Sequence, residues 1–231
     1  MISPVMQMRY ENIIPGIFLS RHNRFIANVE IDGAAELCHV KNTGRCAELL
    51  IPGSRVYVQR AASPARKTKY DLISVYKGER LVNMDSQAPN KAAAEFIPRL
   101  FEGVTLIRPE ARHGESRYDF YIEAGERRIF MEVKGVTLEE DGTALFPDAP
   151  TQRGVKHLNG LVRCLNEGYE AAVLFVIQMK GVLRFTPNER THPDFAAALR
   201  AAANAGVKVY AMDCIVSENE MTIDRPVPIV L

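Results

Sequence analysis

The sequence predicts a two-domain α/β protein: a small closed β-barrel over residues 1–85, then a mixed-sheet α/β domain over residues 86–231. Three observations predict it. Short alternating segments separated by Gly, Pro and Asn turns crowd the first third. The unbroken apolar run Ala171 to Ile177 reads as a strand buried on both faces, the mark of a helix-covered sheet. The length, 231 residues, suits two domains and lets the chain bury roughly 70–75% of its unfolded surface without a disulfide or metal staple.

Taken in order, Arg24 to Ile31 alternates apolar and polar residues, and Ala35 to Val40 continues after Asp32-Gly33, a two-residue hairpin signal. Asn42-Thr43-Gly44 is another turn. Arg55 to Gln59, Tyr70 to Tyr76 and Leu81 to Met84 complete five short strands, which closure into a barrel would leave without exposed edges. The pattern then changes. Ala88-Pro89-Asn90 starts a helix continuing from Lys91 to Leu100, and strands follow at Thr105 to Arg108, Tyr118 to Glu123 and Arg128 to Val136. A helix is predicted from Thr151 to Glu167, apolar at Val155, Leu158, Leu161, Val162 and Leu165. After the Ala171 to Ile177 strand, Pro193 to Ala205 is helical and Val207 to Met212 is a further strand.

Composition excludes several classes. Hydrophobic residues make up 47% and charged residues 25%, and a net charge of +1 rules out a polycation or an acidic tail. The start, M-I-S-P-V-M-Q-M-R-Y, carries no signal-peptide pattern and no apolar run approaches the ~20 residues of a membrane span, so a cytoplasmic chain away from membranes is expected. Cys38, Cys46, Cys164 and Cys214 show no C-x-x-C spacing and read as small core residues of a reducing compartment. The charge divides unevenly. Residues 1–85 hold 12 Lys/Arg against 8 Asp/Glu, net +4, and residues 86–231 hold 17 against 20, net −3. Arg55, Arg60, Arg66, Lys67 and Lys69 fall within fifteen residues free of acids, either a solvated loop or a phosphate-facing patch on the barrel.

The chemistry lies in the second domain. Arg117-Tyr118-Asp119-Phe120 is on one strand and Met131-Glu132-Val133-Lys134 on the next, joined by the short link Ala124 to Arg127. Strand alternation puts Glu132 and Lys134 on one face, and an antiparallel neighbour brings Asp119 beside Glu132. Two carboxylates can hold Mg²⁺ or Mn²⁺, the metal acidifies a water and neutralises charge on a phosphodiester, and a lysine steadies the pentavalent state. Glu95, on the preceding helix, is a further candidate metal acid. The rival reading of E-x-K is the wet face of a sheet.

At this point the sequence resembles known proteins. The D…E-x-K frame is similar to that of PD-(D/E)XK nucleases. R-F-I-A-N-V, N-T-G-R-C-A-E-L-L-I-P-G, R-K-T-K-Y-D-L, E-A-R-H-G-E-S-R-Y-D-F, M-E-V-K-G-V-T-L, F-P-D-A-P-T-Q-R-G-V-K-H-L and P-V-P-I-V-L, in order from Arg24 to Leu231, resemble the sugar fermentation stimulation protein A family. The resemblance implies an N-terminal OB-fold barrel joined to a PD-(D/E)XK nuclease-like domain, DNA as partner, and a link to regulation of sugar utilisation such as maltose. It assigns Asp119, Glu132 and Lys134 to the nuclease signature and Glu95, less directly, to the acid of the preceding helix. Two departures stand out: Gly135 where Ser is common, and Val40-Lys41 before Asn42 where Pro is usual.

Thr151 is the expected cap of its helix, followed by Arg153, Lys156 and His157. Arg153 and His157 share a face and are candidate nucleic-acid contacts with Arg45, Arg66, Lys67 and Lys69, although a satisfied, partly buried histidine is the plainer reading of His157. Asp148 reads as a cap or support residue, and His22, His39, His113 and His192 show no ligand spacing. Three functional readings stay open: a DNA-binding protein with a metal-dependent nuclease site, a DNA-binding regulator on a nuclease-like scaffold, and a hydrolase of small phosphoesters.

Overall fold

The computed structural model describes residues 8–42, 44–63 and 65–231, so Thr43 of the Asn42-Thr43-Gly44 turn and the first seven residues of the chain lie outside it. The barrel is built from β1 (Ile13–Arg21), β2 (Ile26–Ile31), β3 (Ala34–Val40), β4 (Arg55–Arg60) and β5 (Tyr70–Lys77). The strands run β3-β2-β1-β4-β5, and parallel pairing of β3 with β5 from Cys38↔Tyr70 to Val40↔Leu72 closes the ring. Between β2 and β3, Asp32 and Gly33 both take positive φ (51° and 79°), as the type I′ hairpin requires.

Two expectations change. The barrel's first strand is β1, which the Pro15-Gly16 pair disguised as a turn. Gly16 belongs there because a Cβ would come within 2.7 Å of Val29 and 2.8 Å of the Glu30 carbonyl. The expected strand at Leu81 is β6 (Arg80–Asn83), which pairs only with β5 and lies outside the closure.

The second domain centres on a six-stranded sheet of β7 (Val104–His113), β8 (Ser116–Ala124), β9 (Arg127–Val136), β12 (Glu170–Ile177), β14 (Lys208–Val216) and β15 (Met221–Pro226), in the order β15-β14-β12-β9-β8-β7. The strands β9, β12 and β14 are parallel, and both flanks are antiparallel. Helix α1 (Ala88–Leu100) covers one face through Ala92, Ala93 and Ile97, against Phe120, Met131 and Leu174. Helices α2 (Gln152–Asn166) and α3 (Pro193–Ala205) cover the other through Leu158, Leu161 and Phe195, against Val173 and Phe175. Thus β12 sends alternate residues into opposite cores, which is why its sequence is apolar throughout. The short strands β10 (Leu138–Glu140), β11 (Thr143–Phe146) and β13 (Arg184–Pro187) form a small sheet of their own. No helix among the described residues is long and apolar enough to cross a membrane. All four cysteines are buried and unpaired, and burial pushes the Cys38 and Cys46 thiols up to about 12.

The domains meet at a buried polar knot. Gln178 Nε2 donates to the carbonyl and side-chain oxygens of Asn83 (both 3.0 Å) and to the Asp85 carbonyl (3.2 Å). This knot accounts for one departure from the family pattern: a Cβ at Gly135 would strike Gln178 Oε1 and, at 2.7 Å, Pro89. The other departure, Lys41, bridges two buried acids, Asp85 at 3.2 Å and Asp71 at 3.6 Å. Gly44 of the barrel abuts the Asp148 carboxylate so closely that any Cβ would overlap it, so the N-T-G-R and F-P-D-A motifs meet across the junction.

Candidate metal and nucleic-acid site

The antiparallel ladder between β8 and β9 runs from Ala124↔Arg127 to Phe120↔Met131. One residue further on, a side chain replaces it: the Val133 N–H donates to Asp119 Oδ2 at 2.8 Å. On the far side of β8, the pairs Pro109↔Phe120 and Ala111↔Tyr118 leave Glu110 opposite Asp119, with a φ of 52°. The left-handed region costs a non-glycine residue about 1 kcal/mol, and it marks a local distortion of the strand. Consequently Tyr118 packs in the core under α2 and Phe120 in the core under α1, although they are two residues apart. The distortion aims Asp119 out of regular alternation, towards the start of α1, where Asn90 Nδ2 donates to Oδ1 at 2.8 Å.

Glu132, only 3% exposed, lies under α2. Its Oε1 accepts from Lys134 Nζ at 2.6 Å and from His157 Nδ1. Arg153 Nε donates to the other ring nitrogen of His157 at 3.3 Å, so the ring proton sits on Nδ1 and points at Glu132. Glu132 Oε2 is buried and has no partner. An unpartnered buried carboxylate oxygen is costly, and a cation repays that cost.

The two acids titrate in opposite directions. Burial and the negative charge of Glu132 push the Asp119 carboxyl above the usual carboxylate range. Burial also opposes ionisation of Glu132, but the hydrogen bonds from His157 and Lys134 and the charge of Lys134 outweigh it and hold the group below that range. The result is one firmly ionised acid beside one reluctant to ionise without a compensating positive charge. Among the described residues, no third His, Cys, Asp or Glu joins them in a metal-sized group.

The other expected site residues fall elsewhere. Glu95 faces Met8, Arg99 and Glu220. It follows Asn90 by five residues, roughly 140° around the helix, so Asn90 rather than Glu95 reaches Asp119. His157 is not a surface contact: it is buried, and both ring nitrogens are engaged. Thr151 caps α2 as expected, accepting from Gly154 N at 3.1 Å. Arg153 is exposed. On the barrel, Arg66 grips Asp71 with two bonds (2.6 and 3.0 Å), and Lys69 approaches Glu36 at 3.4 Å. Lys67 and Arg45 are exposed. Sequence reasoning missed Asn90, read only as a helix start, and the bond from His157 to Glu132, which the Arg153/His157 spacing placed on the correct helix face without its partner.

The comparisons with known proteins agree with this architecture. Residues 19–84 match the SfsA N-terminal OB domain family, and residues 87–220 match the family described as sugar fermentation stimulation protein RE domain. A sugar fermentation stimulation protein homolog of Ruminiclostridium cellulolyticum is 56% identical over 224 residues, covering 96% of this chain and 99% of that protein. One from Desulfitobacterium hafniense is 59% identical over 215 residues, covering 93% and 94%. The solved structure of Pyrococcus furiosus SfsA in complex with Ca²⁺ superposes with a TM-score of 0.85 at 31% identity, over 98% of this chain and 100% of that one. From the closed barrel through the mixed sheet, this chain belongs to the sugar fermentation stimulation protein family.

Proposed function

We propose that this chain binds nucleic acid and acts on a phosphodiester at Asp119, Glu132 and Lys134 with a divalent cation. The observation that carries the reading is Glu132 Oε2, a buried carboxylate oxygen without a partner, close enough to Asp119 to raise its affinity for a proton. The donors are all oxygen, which suits a hard ion, and the archaeal relative was solved with Ca²⁺. Asp119 and Glu132 would hold the ion, with Mg²⁺ or Mn²⁺ as the working metal. A bound ion would supply Lewis acidity and a water acidified towards neutrality.

The chain's own groups do the rest. Val133 N–H and Asn90 hold the Asp119 carboxylate from two sides. His157, steadied by Arg153, fixes the rotamer of Glu132. The Lys134 ammonium, at the mouth of the pair, is placed to stabilise charge developing on a phosphoryl oxygen. A role in sugar utilisation, as the relatives' name states for them, would be exercised through the nucleic-acid partner.

The test is incubation with single-stranded, duplex and branched DNA plus Mg²⁺ or Mn²⁺. The expected result is cleavage by the parent chain and none by Glu132→Gln. Equal cleavage by both, or cleavage of no substrate, overturns the catalytic part. One observation favours a binding-only reading, the absence among the described residues of a third converging metal-ligating side chain. That reading predicts salt-dependent DNA binding without turnover.

A further inference from the structure

We propose that Arg112 and Arg117, paired across the β7–β8 hairpin, form a clamp for the nucleic-acid phosphate next to the one at Asp119. The clamp rests on the nucleic-acid reading above and specifies how a strand is held there. Neither arginine was among the expected contacts, because Glu110 and Glu115 make their stretch of sequence electrically unremarkable.

The register places Arg112 directly opposite Arg117, and both are exposed. Like charges facing each other across a ladder are unfavourable, so a protein keeps such a pair at a cost that an anion removes. Local acids offset it only in part. Glu110 reaches Arg117 at 3.5 Å with both side chains more than half exposed, and among the described residues Arg112 has no ion-pair partner.

The hairpin presents this pair in a fixed direction. On its opposite face, His113 stacks on Phe130 with ring centroids 4.6 Å apart and is hydrogen-bonded to Glu167 through Nε2 at 2.5 Å. Tyr118 and Ser116 are buried against Gly160 of α2, where a Cβ would collide with the Tyr118 hydroxyl. With Ser116 and Tyr118 fixed on the α2 side, Arg117 points to the other side, the side towards which Asp119 turns to meet Asn90 of α1. Two residues of strand span at most roughly 6.6–6.8 Å, which sets the distance along β8 from the clamp to the carboxylate. The sign pattern suits a polyanion: two cations flank a carboxylate pair whose own charge a divalent ion would offset. A planar guanidinium pair also matches phosphate geometry better than ammonium groups would.

The test uses the full chain, a labelled oligonucleotide in single-stranded and duplex form, and Ca²⁺ as the added ion, with Kd measured across a salt series. Arg112→Gln/Arg117→Gln should weaken binding about tenfold near 0.1 M salt and flatten the slope of log affinity against log salt by about two. Calorimetric Ca²⁺ affinity should stay at the parent value, and thermal stability should hold or rise, because the repulsion is relieved. A double variant that binds with the parent's Kd and slope overturns the clamp while leaving the nucleic-acid reading intact. A parent chain that binds neither oligonucleotide overturns both.

Discussion

The barrel loop around Arg66 and the β7–β8 hairpin around Arg117 are both basic, but they use their charge differently. The loop has the stronger signal, with five cations in fifteen residues and no acid. In the folded chain, however, Arg66 is spent on Asp71, which also draws His39 at 3.3 Å and Lys41 at 3.6 Å, and Lys69 leans on Glu36. The hairpin reads as nearly neutral, yet it sets two exposed arginines face to face, two residues along β8 from Asp119. A run of like charge in sequence is therefore not a field in space. What matters is which cations find buried acids and which are left facing solvent.

The comparison can be broken or sharpened by substitution. The largest effect is expected at the carboxylates: Glu132→Gln should lower the rate of phosphodiester cleavage by about a thousandfold or more, read in a single-turnover assay, while DNA binding persists. Next is the barrel. Arg66→Gln removes the two-pronged partner of a buried Asp71, and urea unfolding should show a loss of about 2 kcal/mol, the guanidinium being 37% exposed and its contribution reduced by solvent. The salt dependence of DNA binding should barely change in that variant. A large change in slope with unaltered stability would reverse the roles assigned to loop and hairpin.

A smaller effect separates the two buried acids by pH. Burial raises the proton affinity of Asp71, but Arg66, Lys41 and His39 outweigh it and hold the carboxyl below the usual range. Its contribution is therefore present above the unfolded value near 3.9 and lost as pH falls through the lower folded value. Asp119 behaves oppositely. Its raised folded value means that stability is lost as pH rises from about 4 through that raised value. Accordingly, Asp119→Asn should stabilise the metal-free chain at pH 7 by about 1 kcal/mol, and added Ca²⁺ should raise the Tm of the parent but not of this variant. If Ca²⁺ stabilises both equally, Asp119 is not a ligand. The smallest change belongs to Lys67→Gln/Lys69→Gln, for which less than a twofold change in DNA affinity is expected near 0.1 M salt.

The architecture was legible where local chemistry is strong. The Asp32-Gly33 turn, the proline-led α3 and the wholly apolar β12 all carry their signals in a few residues. β1 was hidden because Pro15 and Gly16 normally end strands, and only packing against Val29 explains why they sit inside one. β10, β11 and β13, three or four residues each, are too short to show a period.

At the site, the sequence by itself determined that Glu132 and Lys134 share a face, since a two-residue period requires it, and that Asp119 lies one hairpin away. Tertiary structure alone decided the rest. It turned Asp119 towards Asn90 through the distortion at Glu110, buried His157 onto Glu132, and moved Glu95 round the helix. It also decided that Arg66 would be held by Asp71 while Arg112 and Arg117 face each other in solvent. The physical reason is common to all four: pairing between groups dozens of residues apart depends on distance in the fold, and spacing along the chain carries that distance only within a single strand or helix.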